Sequence, residues 1–204
     1  MKKNPIPVSA FNTFFEQHND FHAYGFSEWV FCPGMLFQDL NSWWTQGNAR
    51  PVPHEGIDLC LFRDRAGKIH RLDEKARIPV MYDGVITHIH DDFLGKSIYV
   101  RHSIDGKKGC KLHSIYGHVL PGNICKVEHG VREGDIIATI APAPEKGRIP
   151  PHAHITLAWL PETLSCEKLN WEELGNPDSV TLSNPLDFID CKYSIEDKIK
   201  MIIP

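Results

Sequence analysis

The chain has 204 residues, of which 42% are hydrophobic and 24% are charged. This length favours one filled domain with an added segment over two full-sized domains, and the composition is that of a folded, water-soluble protein rather than a disordered or fibrous one. The net charge of -4 comes without any block of lysine and arginine, which disfavours nucleic acids and anionic membranes as partners.

Neither a signal peptide nor a membrane span is evident in the sequence. The residues that follow Lys2 and Lys3 mix polar and apolar types, so no continuous apolar stretch follows the positive charges. No apolar run reaches the length of about 18 residues that a membrane-spanning helix needs. The sequence therefore predicts a cytoplasmic protein with no membrane span, unless it is exported by another route.

Residues 1–46 are predicted to form a helical, aromatic extension that packs on the main domain. Phe11, Phe14 and Phe15 recur at helical spacing near the start. A second apolar cluster lies between Met35 and Trp44. So many aromatic side chains would be costly to leave in water, so we expect this extension to be packed against the rest of the protein.

Residues 47–190 are predicted to form one β-rich domain, and residues 191–204 a tail. Short apolar or alternating runs, broken by Gly, Pro and Asp, are typical of strands in an all-β sandwich or barrel. These runs are Ile57 to Phe62, Ile78 to Ile89, Ser97 to His102, Leu112 to Leu120, Asp135 to Ile140 and His154 to Leu160. Near the end, Leu169 and Leu174 indicate a short helix that ends at about Gly175.

Cysteine and histidine usage points to different chemistry. The six cysteines include no Cys-x-x-Cys pair, which argues against a thiolate zinc site and against a redox dithiol, so we expect reduced and mostly buried thiols. The twelve histidines are more informative, because several of them lie at the spacing of metal ligands.

Two short segments carry histidines at such spacings, and the first of them also contains carboxylates. One is His54-Glu55-Gly56-Ile57-Asp58, and the other is Pro151-His152-Ala153-His154. On an extended strand, side chains at positions i and i+2, or i and i+4, share a face and can converge on one point. Zinc prefers such imidazoles, with or without a carboxylate, in a tetrahedral arrangement. Each segment alone is weak evidence, and a further pair, His88 and His90, is predicted to be a partly exposed strand face.

Several motifs follow one another in a characteristic order along residues 47 to 189. They are His54 to Leu59, Tyr116 to His118, Val131 to Ile137 and Pro151 to His154, with supporting matches at Ile78 to Val80, Asp83 to Ile86 and Asn184 to Leu186. In this order the chain resembles the lysostaphin-type (LytM) zinc peptidases. The resemblance implies a mainly β fold, an antiparallel β-sandwich or barrel-sandwich hybrid, with the helical extension and the short C-terminal helix added to it.

The resemblance also implies a site and a reaction. It implies one zinc ion per chain, bound by His54, Asp58 and His154, with His118 and His152 as catalytic histidines that are not ligands. The implied activity is that of a zinc metalloendopeptidase that uses an activated water to cleave peptide bonds in peptidoglycan cross-links or glycine-rich peptides. The expected partner is therefore a peptide or a peptidoglycan-derived substrate, and the sequence does not indicate an oligomeric state.

Two other functions stay open at this point. The first is a catalytically weak, zinc-containing module that binds peptides or a partner protein in the same groove. The second is a phosphocarrier that resembles glucose-specific enzyme IIA, which shares a related β architecture and a His-x-Gly-Ile-Asp segment but uses histidine as a phosphoryl acceptor. The segment Pro151 to His154, following the turn at Gly134 and Asp135, fits the peptidase order better.

Overall fold

The structure is a computed structural model that describes residues 6–44, 49–143, 149–164, 169, 171–174 and 180–197. The helices within these residues are α1 (Phe11–His18), α2 (Phe21–Tyr24) and α3 (Trp171–Leu174). The strands are β1 (Phe26–Phe31), β2 (Ile57–Leu59), β3 (Leu61–Asp64), β4 (Ile69–Arg71), β5 (Arg77–Pro79), β6 (Gly84–Asp91), β7 (Lys96–Asp105), β8 (Cys110–Pro121), β9 (Gly130–Val131), β10 (Ile136–Ile140), β11 (Ala153–Pro161), β12 (Thr181–Ser183) and β13 (Tyr193–Ile195). The prediction of a mainly β fold with short helices is confirmed.

The described strands form two sheets. The larger sheet has nine strands, with the order β12-β11-β8-β7-β6-β9 along its main path; β2 pairs with β11, and β10 pairs with β5 and β8. The smaller sheet has the order β13-β1-β3-β4. Among the described strands, pairing is antiparallel except between β1 and β13, and neither sheet closes into a barrel. The prediction of antiparallel sheets is therefore also confirmed.

The larger sheet is covered on both faces. Ile98 and Val100 of β7 belong to the main core, whereas Tyr99 between them belongs to a second apolar cluster with Ile115 and Leu174. Because both faces carry apolar cover, most of β8 is buried along its length rather than at alternate positions. The strands β8 and β11 are thus packed on both faces.

Two apolar runs that we predicted as single strands are each divided. The run Ile57 to Phe62 is interrupted at Cys60, which separates β2 in the larger sheet from β3 in the smaller one. The run Ile78 to Ile89 is divided into β5 and β6. The first run stays buried through its break, and in the second only Asp83 is exposed between the two strands. Hydrophobic periodicity therefore does not reveal where one strand ends and a strand with other pairing partners begins.

The N-terminal 46 residues contain α1 and α2, as predicted, and also the strand β1, which was not predicted. This strand pairs with β3, from the predicted main domain, and with β13, from the predicted tail. The predicted boundary between residues 46 and 47 lies outside the described residues, as does Gly175, so the division into domains stays a prediction. None of the helices in the described ranges is long and apolar enough to cross a membrane.

Candidate metal and catalytic site

Strand pairing brings the three predicted metal ligands together. The strands β2 and β11 pair so that Asp58 lies opposite His154, and His54 lies three residues before the first residue of β2. On its other side β11 pairs with β8, where His154 lies opposite Gly117. His118 is the next residue of β8, so all of these side chains belong to one end of three neighbouring strands.

Gly56 allows β2 to lie close enough to β11 for this arrangement. A Cβ atom built on Gly56 would lie 2.1 Å from the carbonyl oxygen of Ile155 and 2.8 Å from the hydroxyl oxygen of Thr156. Neither separation is tolerated between non-bonded atoms, so only glycine fits here. Because Gly56 lies between His54 and Asp58 in the sequence, it lets both side chains reach toward β11.

Three side-chain atoms of the predicted ligands form a compact triangle. The Nε2 atom of His54 lies 3.1 Å from Nδ1 of His154 and 3.2 Å from Oδ1 of Asp58, and Nδ1 of His154 lies 2.9 Å from the same Oδ1. Ligand atoms at the corners of a tetrahedron around zinc are about 3.3 Å apart, given zinc–ligand bonds of about 2 Å. The triangle is close to one face of such a tetrahedron.

Hydrogen bonds at the opposite ring nitrogens orient both imidazoles. The Nδ1–H group of His54 donates to the carbonyl of Leu36 (3.1 Å), and Nε2 of His154 lies 2.8 Å from the hydroxyl oxygen of Thr156, which can accept a hydrogen bond from it. A neutral imidazole that donates from one nitrogen carries a lone pair on the other, and metal-binding histidines are usually held in this way. When Nε2–H of His154 donates to Thr156, the triangle joins three lone-pair atoms, which repel one another unless a cation or a proton lies between them.

The electrostatics of the triangle suit a metal ion. Asp58 is only 1% exposed, and although burial alone would raise the pKa of its carboxyl, the nearby His54 and His152 hold that pKa well below its usual range. Burial lowers the pKa of His154 to about 3, against the opposing effect of Asp58. The carboxyl is thus ionised and the imidazole neutral at neutral pH, the forms in which these groups bind metals.

The two histidines predicted to be catalytic lie beside the triangle. The Nδ1–H group of His152 donates to the carbonyl of Pro150 (2.9 Å), and its Nε2 atom lies 3.8 Å from Oδ1 of Asp58. The ring of His118 lies 4.8 Å from that of His152 and 5.8 Å from that of His154, between centroids. All five predicted site residues are therefore neighbours in the structure.

Asp92 holds His118 in place, and we did not predict it from the sequence. Its Oδ1 atom accepts from Nδ1–H of His118 (3.2 Å), and its Oδ2 atom accepts from the backbone N–H of the same residue (2.9 Å). His118 has a left-handed backbone with φ of 62°, which is uncommon for a residue with a Cβ atom and requires such external support. Burial alone would raise the pKa of Asp92, but the contacts with His118 lower it below its usual range.

Glu55 is a second carboxylate at the site that the sequence prediction missed. One of its oxygens and the ring nitrogens of His54 and His154 lie within 4.8 Å of one another. Asp58 is closer, with Oδ1 no more than 3.2 Å from either histidine nitrogen. Burial raises the pKa of Glu55, which favours its neutral form. Asp58 is therefore the better placed carboxylate ligand, and Glu55 lines the cleft beside it.

The second His-x-His pair lies elsewhere in the sheet. His88 and His90 are half-buried on β6, and both rings contact Tyr99. Their own ring centroids are 5.3 Å apart. Within the described ranges, no His, Cys, Asp or Glu completes a three-ligand group with them. This agrees with our prediction of a partly exposed strand face.

A cleft of about 500 Å³ is lined by four of the five predicted site residues, Asp58, His118, His152 and His154. Its wall includes the aromatic rings of Trp44, Phe93 and Trp171. The ring of Trp171 lies 4.7 Å from that of His154, and Phe93, although 61% exposed, lies 4.6 Å from His118, both between centroids. A volume of this size accommodates a small ligand or a short peptide segment.

Comparisons with known proteins give matches among solved structures. No family profile matches the chain, and no curated protein does. The antimicrobial peptidase lysostaphin from Staphylococcus simulans is 18% identical, with a TM-score of 0.42 and coverage of 68% of this chain and 45% of its own. LytU is 23% identical, with a TM-score of 0.40 and coverage of 60% and 69%. The catalytic domain of the prophage-encoded protein EnpA from Enterococcus faecalis is 19% identical, with a TM-score of 0.39 and coverage of 69% and 82%.

This chain is similar in structure to lysostaphin-type peptidases. It spans less than half of the lysostaphin chain that it matches.

Proposed function

We propose that the protein is a zinc-dependent hydrolase that cleaves peptide bonds, with one zinc ion held by His54, Asp58 and His154. The observation that supports this most directly is the triangle of possible ligand atoms, whose sides of 2.9, 3.1 and 3.2 Å are close to those of a zinc tetrahedron. Three protein ligands leave a fourth position open, which is typical of catalytic rather than structural zinc sites.

The histidines beside the triangle are suited to moving protons. Zinc bound there would lower the pKa of a water molecule toward about 7 and would polarise the carbonyl of the scissile bond. His152, whose Nδ1–H is held by the carbonyl of Pro150, has Nε2 available to accept a proton from the attacking water. His118, whose Nδ1–H is held by Asp92, can carry a second proton on Nε2, and in that form Nε2–H can donate to the reacting carbonyl oxygen or pass its proton to the leaving amine.

The proposed substrate is a peptide segment of a peptidoglycan cross-link or a glycine-rich peptide. The ordered motifs that resemble those of lysostaphin-type peptidases support this substrate class. The cleft of about 500 Å³ supports it as well, because a volume of this size is large enough for a short peptide segment and His118 and His152 line it. The rings of Trp44, Phe93 and Trp171 offer apolar faces against which a peptide backbone can pack.

Hydrolysis of defined substrates in isotopically labelled water tests this proposal. Zinc-loaded protein is incubated with pentaglycine and with purified peptidoglycan, and mass spectrometry follows the incorporation of labelled oxygen into the new carboxyl groups. We expect cleavage that a chelator abolishes and added zinc restores. His118→Ala should lose this activity, whereas the matched variant His88→Ala, on a neighbouring part of the same sheet, should keep it.

The wild-type protein also separates the alternatives. Zinc binding at the site without hydrolysis of either substrate would favour the weakly catalytic binding module. Failure of the purified protein to bind zinc at all would contradict the proposed function itself.

A further inference from the structure

The two oxygens of Asp58 have different partners. Oδ1 faces His54 and His154 in the triangle. Oδ2 points away from the triangle and accepts a hydrogen bond from the indole Nε1–H of Trp43, at 2.6 Å. A guanidinium nitrogen of Arg50 also lies 3.3 Å from Oδ2. Trp43 is only 7% exposed, so its N–H group has little access to water as an alternative partner.

The backbone holds Trp43 against the site. Residues 35–43 run beside the segment that carries the predicted ligands: the N–H of Asp58 donates to the carbonyl of Met35 (2.9 Å), and the N–H of Arg50 donates to that of Leu40 (2.7 Å). Each pairing is between backbone groups, so the position of the loop does not depend on flexible side chains. The indole is thereby presented to Asp58 by a fixed segment.

A tight turn at Gly34 completes this support. Gly34 has φ of +96°, and a Cβ atom there would lie 2.7 Å from both the carbonyl oxygen of Asn41 and the backbone nitrogen of Trp43. Its N–H donates to a carboxylate oxygen of Asp39 (2.7 Å), which closes the loop. The turn at Gly34 therefore lies directly against the backbone of Asn41 and Trp43.

Trp43 also contacts a histidine predicted to be catalytic. The edge of its ring packs against His152, with centroids 5.1 Å apart and planes at 85°. The adjacent Trp44 differs, because its ring lies under the guanidinium of Arg50, 4.5 Å from the ring centroid, and lines the cleft. Trp43 therefore contacts Asp58 and His152 at the site, whereas Trp44 lines the cleft.

We infer that Trp43 is a positioning residue for the metal site, whose indole N–H holds Oδ2 of Asp58 so that only Oδ1 faces the metal. This inference rests on the proposed zinc site. Outer hydrogen bonds of this kind orient ligating carboxylates, and their loss typically weakens metal binding about 10- to 100-fold. The inference gives a functional role to part of the N-terminal extension, which we had expected to serve mainly as packing.

Zinc affinity of two matched variants tests the inference. Trp43→Phe and Trp44→Phe each replace an indole by a benzyl ring one residue apart, and the dissociation constant for zinc is measured by competition with a chromophoric chelator. We expect roughly 10- to 100-fold weaker binding for Trp43→Phe and an unchanged constant for Trp44→Phe. Equal affinities of Trp43→Phe and wild type would overturn the inference, whereas a wild type that binds no zinc would overturn the proposed function.

A measurement on the wild-type protein tests the inference without depending on whether Trp43→Phe folds. The indole N–H resonance of Trp43 is identified by NMR through its proximity to the ring of His152. We expect it to shift when zinc is added and to exchange slowly with water in the zinc-loaded protein. The indole of Trp29, which donates to Asn12 at 2.7 Å in the core, provides a reference that should not shift. Rapid exchange of the Trp43 proton in the zinc-loaded protein would contradict the inference.

Discussion

Replacing Gly56 by alanine should destabilise the fold at the contact between β2 and β11. The new Cβ atom would lie 2.1 Å from the carbonyl oxygen of Ile155, where even close carbon–oxygen contacts are about 3.3 Å. That oxygen belongs to the backbone of β11, which is paired on one side with β2 and on the other with β8, so it cannot turn away as a side chain can. Overpacking of this kind typically costs about 1–3 kcal/mol, and we expect the upper half of that range.

Thermal and urea unfolding measure this effect. For a chain of this length, each kcal/mol lowers the melting temperature by about 2–4 °C, so Gly56→Ala should melt roughly 4–12 °C below wild type. Gly130→Ala is the control, because no atom lies within 4 Å of a Cβ atom there, and its stability should stay within about 0.5 kcal/mol of wild type. Wild-type stability of Gly56→Ala, or an equal loss in both variants, would refute the reasoning.

Acid should destabilise the protein through His102, because burial lowers its pKa to about 4 while an unfolded histidine titrates near about 6.5. As the pH falls from about 6.5 to about 4, the unfolded state binds this proton before the folded state does, so the free energy of unfolding measured by urea titration should drop by up to roughly 3 kcal/mol. Stability that does not change with pH in this range would contradict the prediction. Asp92→Asn should keep its zinc but hydrolyse peptides roughly 10- to 100-fold more slowly, because the amide lacks the negative charge and has one acceptor oxygen for the two N–H groups of His118 that Asp92 accepts from. Asp91→Asn, an exposed neighbour, is the control, and equal rates for the two variants would count against this role of Asp92.

The strand periodicity of the sequence predicted which side chains of the candidate site lie on the same face of their own segment. The spacing of His54 and Asp58 predicted that their side chains lie on the same side of the chain. The spacing of His152 and His154 predicted the same for their side chains on the segment of β11. The pairing of Asp58 with His154 brings these two segments together, and it could be expected only from the resemblance, since a period of two does not say which strands are neighbours. The need for glycine at position 56 comes from the close approach of β11, which the sequence does not show.

The supporting residues of the site could not be predicted in this way. Asp92 precedes His118 by 26 positions and reaches it only because of the turn that joins β6 to β7. Trp43 looked like one more aromatic of a packed extension, because an indole N–H shows its hydrogen-bond partner only in three dimensions. The strand β1 was missed because its partners, β3 and β13, are distant in sequence and its aromatic residues also suit a helix. Long-range contacts decided each of these features.

The zinc content of two single variants tests most directly whether this cluster is a metal site with separate ligand and catalytic histidines. His154 and His152 are two residues apart on the same segment, so a merely histidine-rich surface would respond in the same way to either substitution. Removing a ligand should strip much of the metal affinity, whereas removing a proton-transfer group should spare the metal. We therefore expect elemental analysis to find His154→Ala depleted of zinc and His152→Ala with one zinc per chain. Full zinc occupancy in both variants, or loss of zinc from His152→Ala alone, would contradict the proposed site.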